Sequence, residues 1–218
     1  LAGYSISIGD FGGGGGHVDR VCVLIDVLRA SSTIVTALAN GVREVIPVDS
    51  EEAAFELKEE GCVIAGERGG VKSHNFDIGN SPVELLQYLK RSDIERLALT
   101  TTNSTEILTG LDCALISSSL NLSAVRNRLE KTGESAEILA VGGRHGVTED
   151  LAVAMALYSS LNDGIEIDEG FLARSIQQSR AARYLGEIGY AKDVLFISQI
   201  DRYDVVPVLE DGVILGQR

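Results

Sequence analysis

Hydrophobic and polar positions along this chain resolve into short aliphatic runs separated by stretches with helical spacing. The runs are rich in Val, Ile and Leu and fall at 21–25, 44–48, 63–65, 97–99, 114–116 and 138–141. Their alternation with helix-like segments predicts an α/β fold with a largely parallel or mixed sheet covered on both faces. Helix starts are marked by a polar residue followed three positions later by Glu: Asp49 with Glu52, Ser81 with Glu84, and Asn103 with Glu106. Pro82 suits a first helical position, and Gly41, Gly61, Gly110 and Gly133 supply stops. After Asp150 the spacing predicts two longer helices, at 151–161 and 171–185, and then a C-terminal hairpin in "VVPVLEDGVIL" turning at Asp211-Gly212.

Length and charge narrow the field. The chain has 218 residues, 44% of them hydrophobic and only 5% aromatic, enough for one domain over 1–218 with an aliphatic core. Its 32 acidic against 19 basic residues give a net charge of −13, a field that repels nucleic acid and anionic membranes. No window approaches the roughly 18 apolar residues of a membrane span, and no charged-then-apolar segment opens the sequence, so a cytoplasmic protein is expected. The composition is compatible with a homodimer. Cys22, Cys62 and Cys113 lie in or beside apolar runs without C-x-x-C spacing, which predicts buried, reduced thiols. Five glycines at 12–16 read as a flexible linker, since a phosphate loop needs a following Lys-Ser/Thr and a helix; His17 beside them reads as a loop residue.

Chemistry concentrates after the strands, where α/β sheets bind ligands. The run at 21–25 leads into Asp26-x-x-Arg29-x-Ser31-Ser32, and later runs lead into "GERGGVKSHNFDIGNSP" at 66–82, "TTTNST" at 100–105 and "GGRHGVTED" at 142–150. Ser31, Ser32, Ser81 and Asn103 can be simple helix caps, and Glu149-Asp150 can serve only to complement a helix dipole. Arg29 needs an anion, for which Asp26 is the nearby intrinsic candidate. The 66–82 segment reads as a functional loop of about fifteen residues, anchored by Phe76 and Ile78. "TTTNST" offers hydroxyls, an amide and helix N–H groups to an oxyanion. Acids such as Asp26, Asp77, Glu149 and Asp150 would repel a phosphate unless a hard cation lay between, which points to Mg2+ rather than zinc. Arg29 and Arg68 are the expected anion clamps.

The stretches "VCVLIDVLRASSTIVTALANG", "AGERGGVKSHNFDIGNSPVE", "LTTTNST", "GVTEDLAVA" and "SRAARYLGEIGYAKDVLFISQIDRYDVVPVLEDGVI" together resemble the 2-phosphosulfolactate phosphatase family. The resemblance implies a three-layer α/β/α fold and Mg2+-dependent hydrolysis of phosphosulfolactate to sulfolactate and phosphate on a coenzyme M pathway. Carried onto this sequence, it makes Asp26, Arg29 and Glu67 catalytic. Ser31, Ser32, Arg68, Asn80, Ser81, Thr101, Thr102 and Asn103 become substrate-binding, and Asp26, Asp77, Glu149 and Asp150 metal-binding. Asp26 suits either a nucleophile on phosphorus or a metal ligand. The implied partner is a small anionic phosphorylated substrate. Alternatives are a non-catalytic anion- or nucleotide-binding α/β domain and a phosphatase of another small phosphorylated acid. A haloacid dehalogenase type is disfavoured because "IDVLRAS" lacks Asp-x-Asp.

Overall fold

The run at 21–25 is a strand with two buried faces: Cys22 and Leu24 belong to one apolar cluster, Val23 and Ile25 to another. It belongs to a computed structural model that describes residues 2–9 and 20–217, so the glycine run at 12–16 and His17 lie outside the described residues. In chain order the elements are β1 (Tyr4–Ile8), β2 (Arg20–Ile25), α1 (Ala30–Ala39), β3 (Glu44–Pro47), α2 (Glu51–Glu59), β4 (Val63–Arg68), β5 (Val71–Lys72), α3 (Pro82–Leu89), β6 (Arg96–Thr100) and α4 (Ser104–Thr109). There follow β7 (Cys113–Ser117), α5 (Leu122–Thr132), β8 (Ser135–Ala140), α6 (Thr148–Asp163), α7 (Glu169–Gln177), α8 (Arg180–Glu187), α9 (Ala191–Ile197), β9 (Val206–Glu210) and β10 (Val213–Gln217).

The strands form one mixed sheet in the order β1-β8-β2-β7-β9-β10-β3-β6-β4-β5, between two helical layers, a three-layer α/β/α arrangement. Clusters of α1, α3 and α4 side chains cover one face; α5, α6 and α7 cover the other over β2 and β8, and α2 does so over β4 and β6. Two blocks are parallel within themselves, β1-β8-β2-β7 and β3-β6-β4, and the C-terminal hairpin lies between them. The junctions β7-β9, β9-β10 and β10-β3 are all antiparallel, so the two blocks run in opposite senses.

That topology has a geometric consequence. β2 and β6 are five strands apart, roughly 24 Å on a flat sheet, with carboxyl ends on opposite edges. Yet Asp26, after β2, accepts a hydrogen bond from Ser104, after β6. Five steps of native twist rotate the strands by roughly 100–125°, which turns opposed directions towards crossing ones. The sheet therefore curls around α1, buried from Ala30 through Leu38.

Local chemistry explains several boundaries. Ser81 accepts the Glu84 N–H as the cap of α3, and Pro82 follows it. Gly133 closes α5 at φ 68°, a left-handed conformation that disfavours a side chain. Four expectations are corrected. The cap of α2 is Ser50, which accepts the Ala53 N–H, because Asp49 is one residue too early to reach it. The helix expected over 171–185 breaks after Gln177, where Ser179 caps a new helix by accepting the Ala182 N–H. The 66–82 segment is no unstructured loop: β4 continues to Arg68 and pairs with β5, and Ala65 bridges to Ile78, while Phe76 and Ile78 are buried as expected. Cys22 and Cys62 are buried, but Cys113, the first residue of β7, is exposed. Among the described residues no helix is long and apolar enough to cross a membrane.

Gly66 is where β4 presses on β6. A Cβ there would stand 2.5 Å from the Thr100 carbonyl oxygen and 2.9 Å from the Phe76 ring. Gly66→Ala is expected to destabilise the protein by about 1–3 kcal/mol, read by urea denaturation; an unchanged midpoint would show that the two strands can part at no cost.

Candidate active site

The turn from β2 into α1 is built by its own hydroxyls. Ser31 Oγ accepts the Asp26 N–H at 2.9 Å, and Ser32 Oγ donates to the Val27 carbonyl at 2.8 Å. Both serines are fully buried, so these hydroxyls hold the turn rather than a ligand. Asp26 is left with its carboxylate lining a cleft, fixed by the Ser104 hydroxyl and the Ala30 N–H.

Arg29 also lines the cleft, but its partner is Asp193 and not Asp26. Nη1 donates to Asp193 Oδ2 at 3.0 Å, Nη2 to the Gly70 carbonyl at 2.5 Å, and the guanidinium carbon lies 4.1 Å from the centre of the Tyr190 ring. Asp193 Oδ1 in turn accepts the Ser81 hydroxyl at 2.8 Å and the Val83 N–H at 3.2 Å. One buried ion pair thus ties the β2–α1 turn to the β4–β5 turn, α3 and α9.

Three further acids converge on Asp26. Glu67, at the end of β4, accepts the Thr102 N–H at 2.7 Å on Oε1, and the Gly70 N–H at 2.5 Å and the Thr102 hydroxyl at 3.0 Å on Oε2. Asp150, in the first turn of α6, accepts the Val27 N–H at 2.7 Å and the Gly142 N–H at 2.8 Å, one on each oxygen. Beside it, Glu149 is bonded by its own N–H and by Ser179. Burial pushes the Asp26 carboxyl up to about 6, with the charges of Glu67 and Glu149 adding to the rise and the Ser104 and Ala30 hydrogen bonds opposing it. Burial, then the charges of Asp26 and Glu149, holds Asp150 well above the usual carboxylate range. Glu149 is raised too, chiefly by burial. Like charges held together out of water form a site that favours a proton or a cation.

The cleft gathers Asp26, Arg29, Glu67, Asn80, Thr102, Asn103, Glu149 and Asp150 from the expected residues. Asn80 Oδ1 accepts the Thr33 hydroxyl at 2.7 Å, which leaves its NH2 as the group free to donate to a ligand. The other expected residues do not line the cleft. Ser81 caps α3 and meets Asp193; Thr101 exchanges hydrogen bonds with Thr105. Arg68 bonds Thr100 Oγ1 at 3.0 Å and its Nε lies 3.8 Å from Glu51, on the far side of its strand from Glu67. Asp77 pairs with Lys58 at 2.7 Å and accepts the Ile64 N–H at 3.0 Å, so it braces β4 against α2. Sequence reasoning missed Ser104, Arg144, His145, Tyr184 and Asp193. Asp193 carried a signal: it stands four residues before Ile197 on the buried face of α9, where an unpaired acid is costly.

An α/β protein with desolvated carboxylates gathered beyond its strand ends is the class that fold and cleft define. A family model described as 2-phosphosulpholactate phosphatase matches residues 14–212, and the chain belongs to that family. A protein of Pseudothermotoga lettingae named "Probable 2-phosphosulfolactate phosphatase" is 39% identical over 213 residues, 91% of this chain and 93% of its own. One of the same name from Thermotoga maritima is 37% identical, covering 90% of this chain and 92% of its own. The "2-phosphosulfolactate phosphatase" of Methanothermobacter thermautotrophicus is 35% identical over 88% of each chain.

Two outcomes follow from this geometry. Asp26 has a folded-state pKa of about 6 against an ordinary 3.8, so its ionisation withdraws stability as pH rises through about 6, and the loss is complete above it. In metal-free buffer the stability of Asp26→Asn relative to the parent should therefore improve from pH 4 to pH 8, by on the order of 1–3 kcal/mol; a pH-independent difference in thermal unfolding would contradict the desolvated cluster. Arg29→Lys keeps the charge but cannot span Asp193 and Gly70 together, so about 1–3 kcal/mol of stability should be lost in denaturant titrations. A fully stable variant would free Arg29 for a purely catalytic role.

Proposed function

We propose that this protein is a Mg2+-dependent phosphatase that hydrolyses 2-phosphosulfolactate to sulfolactate and inorganic phosphate, a step in coenzyme M biosynthesis. The proposal rests on one observation: in a member of this family, Asp26, Glu67, Glu149 and Asp150 line a single cleft with Asn80, Thr102 and Asn103.

The donor set suits a hard divalent ion. Among the described residues no three His, Cys, Asp or Glu side chains form a ready ligand cage. Mg2+ needs none, since it keeps waters and takes one or two carboxylates plus phosphate oxygens. Asp26 and Asp150 are the residues that would hold it: the charge of Asp26 raises the affinity of Asp150 for positive charge, and Asp150 retains a lone pair on each oxygen beyond its amide bonds. Bound there, Mg2+ would offset the charge of the phosphoryl oxygens and so ease attack at phosphorus. That the Asp26 charge acts on Asp150, so that one cation would relieve both, supports the ligand role for Asp26 over the nucleophile role.

The remaining steps belong to the chain. The NH2 groups of Asn80 and Asn103 orient the phosphoryl group. Glu67 Oε1 has a single partner, the Thr102 N–H, and so keeps a lone pair to accept a proton from the attacking water. Water oxygen bonds to phosphorus as its proton passes to Glu67, the phosphorus–oxygen ester bond breaks, and the departing alkoxide oxygen takes up a proton to become the hydroxyl of sulfolactate, Glu67 returning its own to solvent.

Exhaustive chelation should abolish phosphate release from 2-phosphosulfolactate, and Mg2+ should restore it. Glu67→Gln should lower kcat by on the order of 10²–10⁴. Full activity after verified metal removal would end the metal role. An aspartyl-phosphate on Asp26, trapped by acid quench and hydride reduction, would make Asp26 the nucleophile. A parent protein that binds phosphate esters without cleaving any would favour a binding domain instead.

A further inference from the structure

Two guanidinium groups line the cleft, and they differ in what holds them. Arg29 is buried and committed to Asp193 and Gly70. Arg144 is exposed and, among the described residues, has no hydrogen-bond or ion-pair partner. In a cleft with four carboxylates, on a chain of net charge −13, an uncommitted guanidinium is the group able to meet an incoming anion outside the metal's reach.

Arg144 is also held in place. Gly143 and Gly146 exchange backbone hydrogen bonds at 3.0 and 2.9 Å, so Arg144 and His145 form a two-residue tip, with Gly142 and Gly146 at positive φ. The base of this loop packs on Asn103, whose amide occupies the space a side chain at Gly143 would need. The His145 ring stacks on Tyr184, with centroids 4.2 Å apart and planes 24° from parallel. Tyr184 donates its hydroxyl to the Gly69 carbonyl at 2.7 Å. The tip is thus tied through α8 to the β4–β5 turn, beside the residue whose carbonyl Arg29 holds.

We propose that Arg144 is a specificity-determining residue that grips the non-reacting carboxylate and sulfonate of the substrate, and that His145, stacked on Tyr184, is the positioning residue that keeps it there. This rests on the phosphatase reading above. The four acids, with a cation, accommodate the phosphoryl group; two further anions on a three-carbon skeleton need a donor fork away from those acids. A guanidinium presents paired N–H groups in the plane of an oxyanion.

The test separates binding from turnover. Calorimetric titration of sulfolactate, which carries both tail anions and no phosphate, should show Arg144→Ala binding about 10- to 100-fold more weakly than the parent, with Arg144→Lys in between. His145→Phe, which keeps the stack, should retain the parent affinity, and His145→Ala should lose part of it. In steady-state assays the ratio of kcat/KM for 2-phosphosulfolactate to that for phenyl phosphate should fall by a similar factor in Arg144→Ala, through KM more than kcat. Equal sulfolactate affinity in parent and Arg144→Ala, or no binding to the parent, would overturn the proposal. A parent that binds sulfolactate through Arg144 yet hydrolyses neither ester would overturn the phosphatase reading and leave the anion subsite standing.

Discussion

Everything at the cleft depends on the sheet's being coiled tightly enough to bring the carboxyl ends of two opposed parallel blocks to one place. Neither block makes the site alone. β2 and β8 lead into Asp26, Glu149 and Asp150; β4 and β6 lead into Glu67, Thr102 and Asn103. The link between them is made of small polar contacts: Ser104 to Asp26, Thr33 to Asn80, and Arg29 to Gly70. Because α1 fills the concave side with Ile34, Val35, Ala37 and Leu38, its small and aliphatic side chains set how closely the blocks approach.

The acids make this an expensive place to fold. Asp26, Asp150 and Glu149 are all driven towards their neutral forms by burial, and neighbouring carboxylate charges add to the rise at Asp26 and Asp150. Backbone N–H groups from Val27, Gly142 and Ala30 offset part of that cost without removing charge from the cleft. Binding sites commonly carry such locally unfavourable arrangements, supported by a well-packed remainder. Here the support is aliphatic on both faces of the sheet, and the ion pair of Arg29 with Asp193 holds Gly70, whose N–H binds Glu67.

Much of the fold was legible because aliphatic runs in the sheet interior are hard to mistake: β2, β4, β6 and β7 all contain the runs that marked them. The edge strand β1, "YSISI", was missed although its Tyr-Ile-Ile alternation is a period-2 pattern; with β8 on one side only, it is just half-buried. Ser179 was hidden because the apolar spacing on either side of it runs on in register, and α9 escaped notice altogether. At the site, the loops that matter were legible from their polar residues, but the direction of each side chain was not. Ser31, Ser32, Arg68 and Asp77 sit in the right segments but spend their polar atoms on scaffold partners. Arg29 and Asp193 are 164 residues apart, a pairing no local pattern encodes. The same holds for the sheet order, since the pairing of Leu115 with Val208 is decided by packing across the whole chain.

The place of the β9–β10 hairpin bears on how the molecule is assembled. It follows the other strands in sequence yet occupies the middle of the sheet, joined to β7 on one side and β3 on the other. On a ribosome the two parallel blocks emerge first, each with an open edge and no partner for it. Only when residues 206–217 leave the exit tunnel can they be stitched together. Such late, sequence-distant pairing is slow, and unpaired edges invite association in the meantime. Until then no native pairing seals the edge of β7 or β3, and the acids that will share a cleft belong to separate blocks.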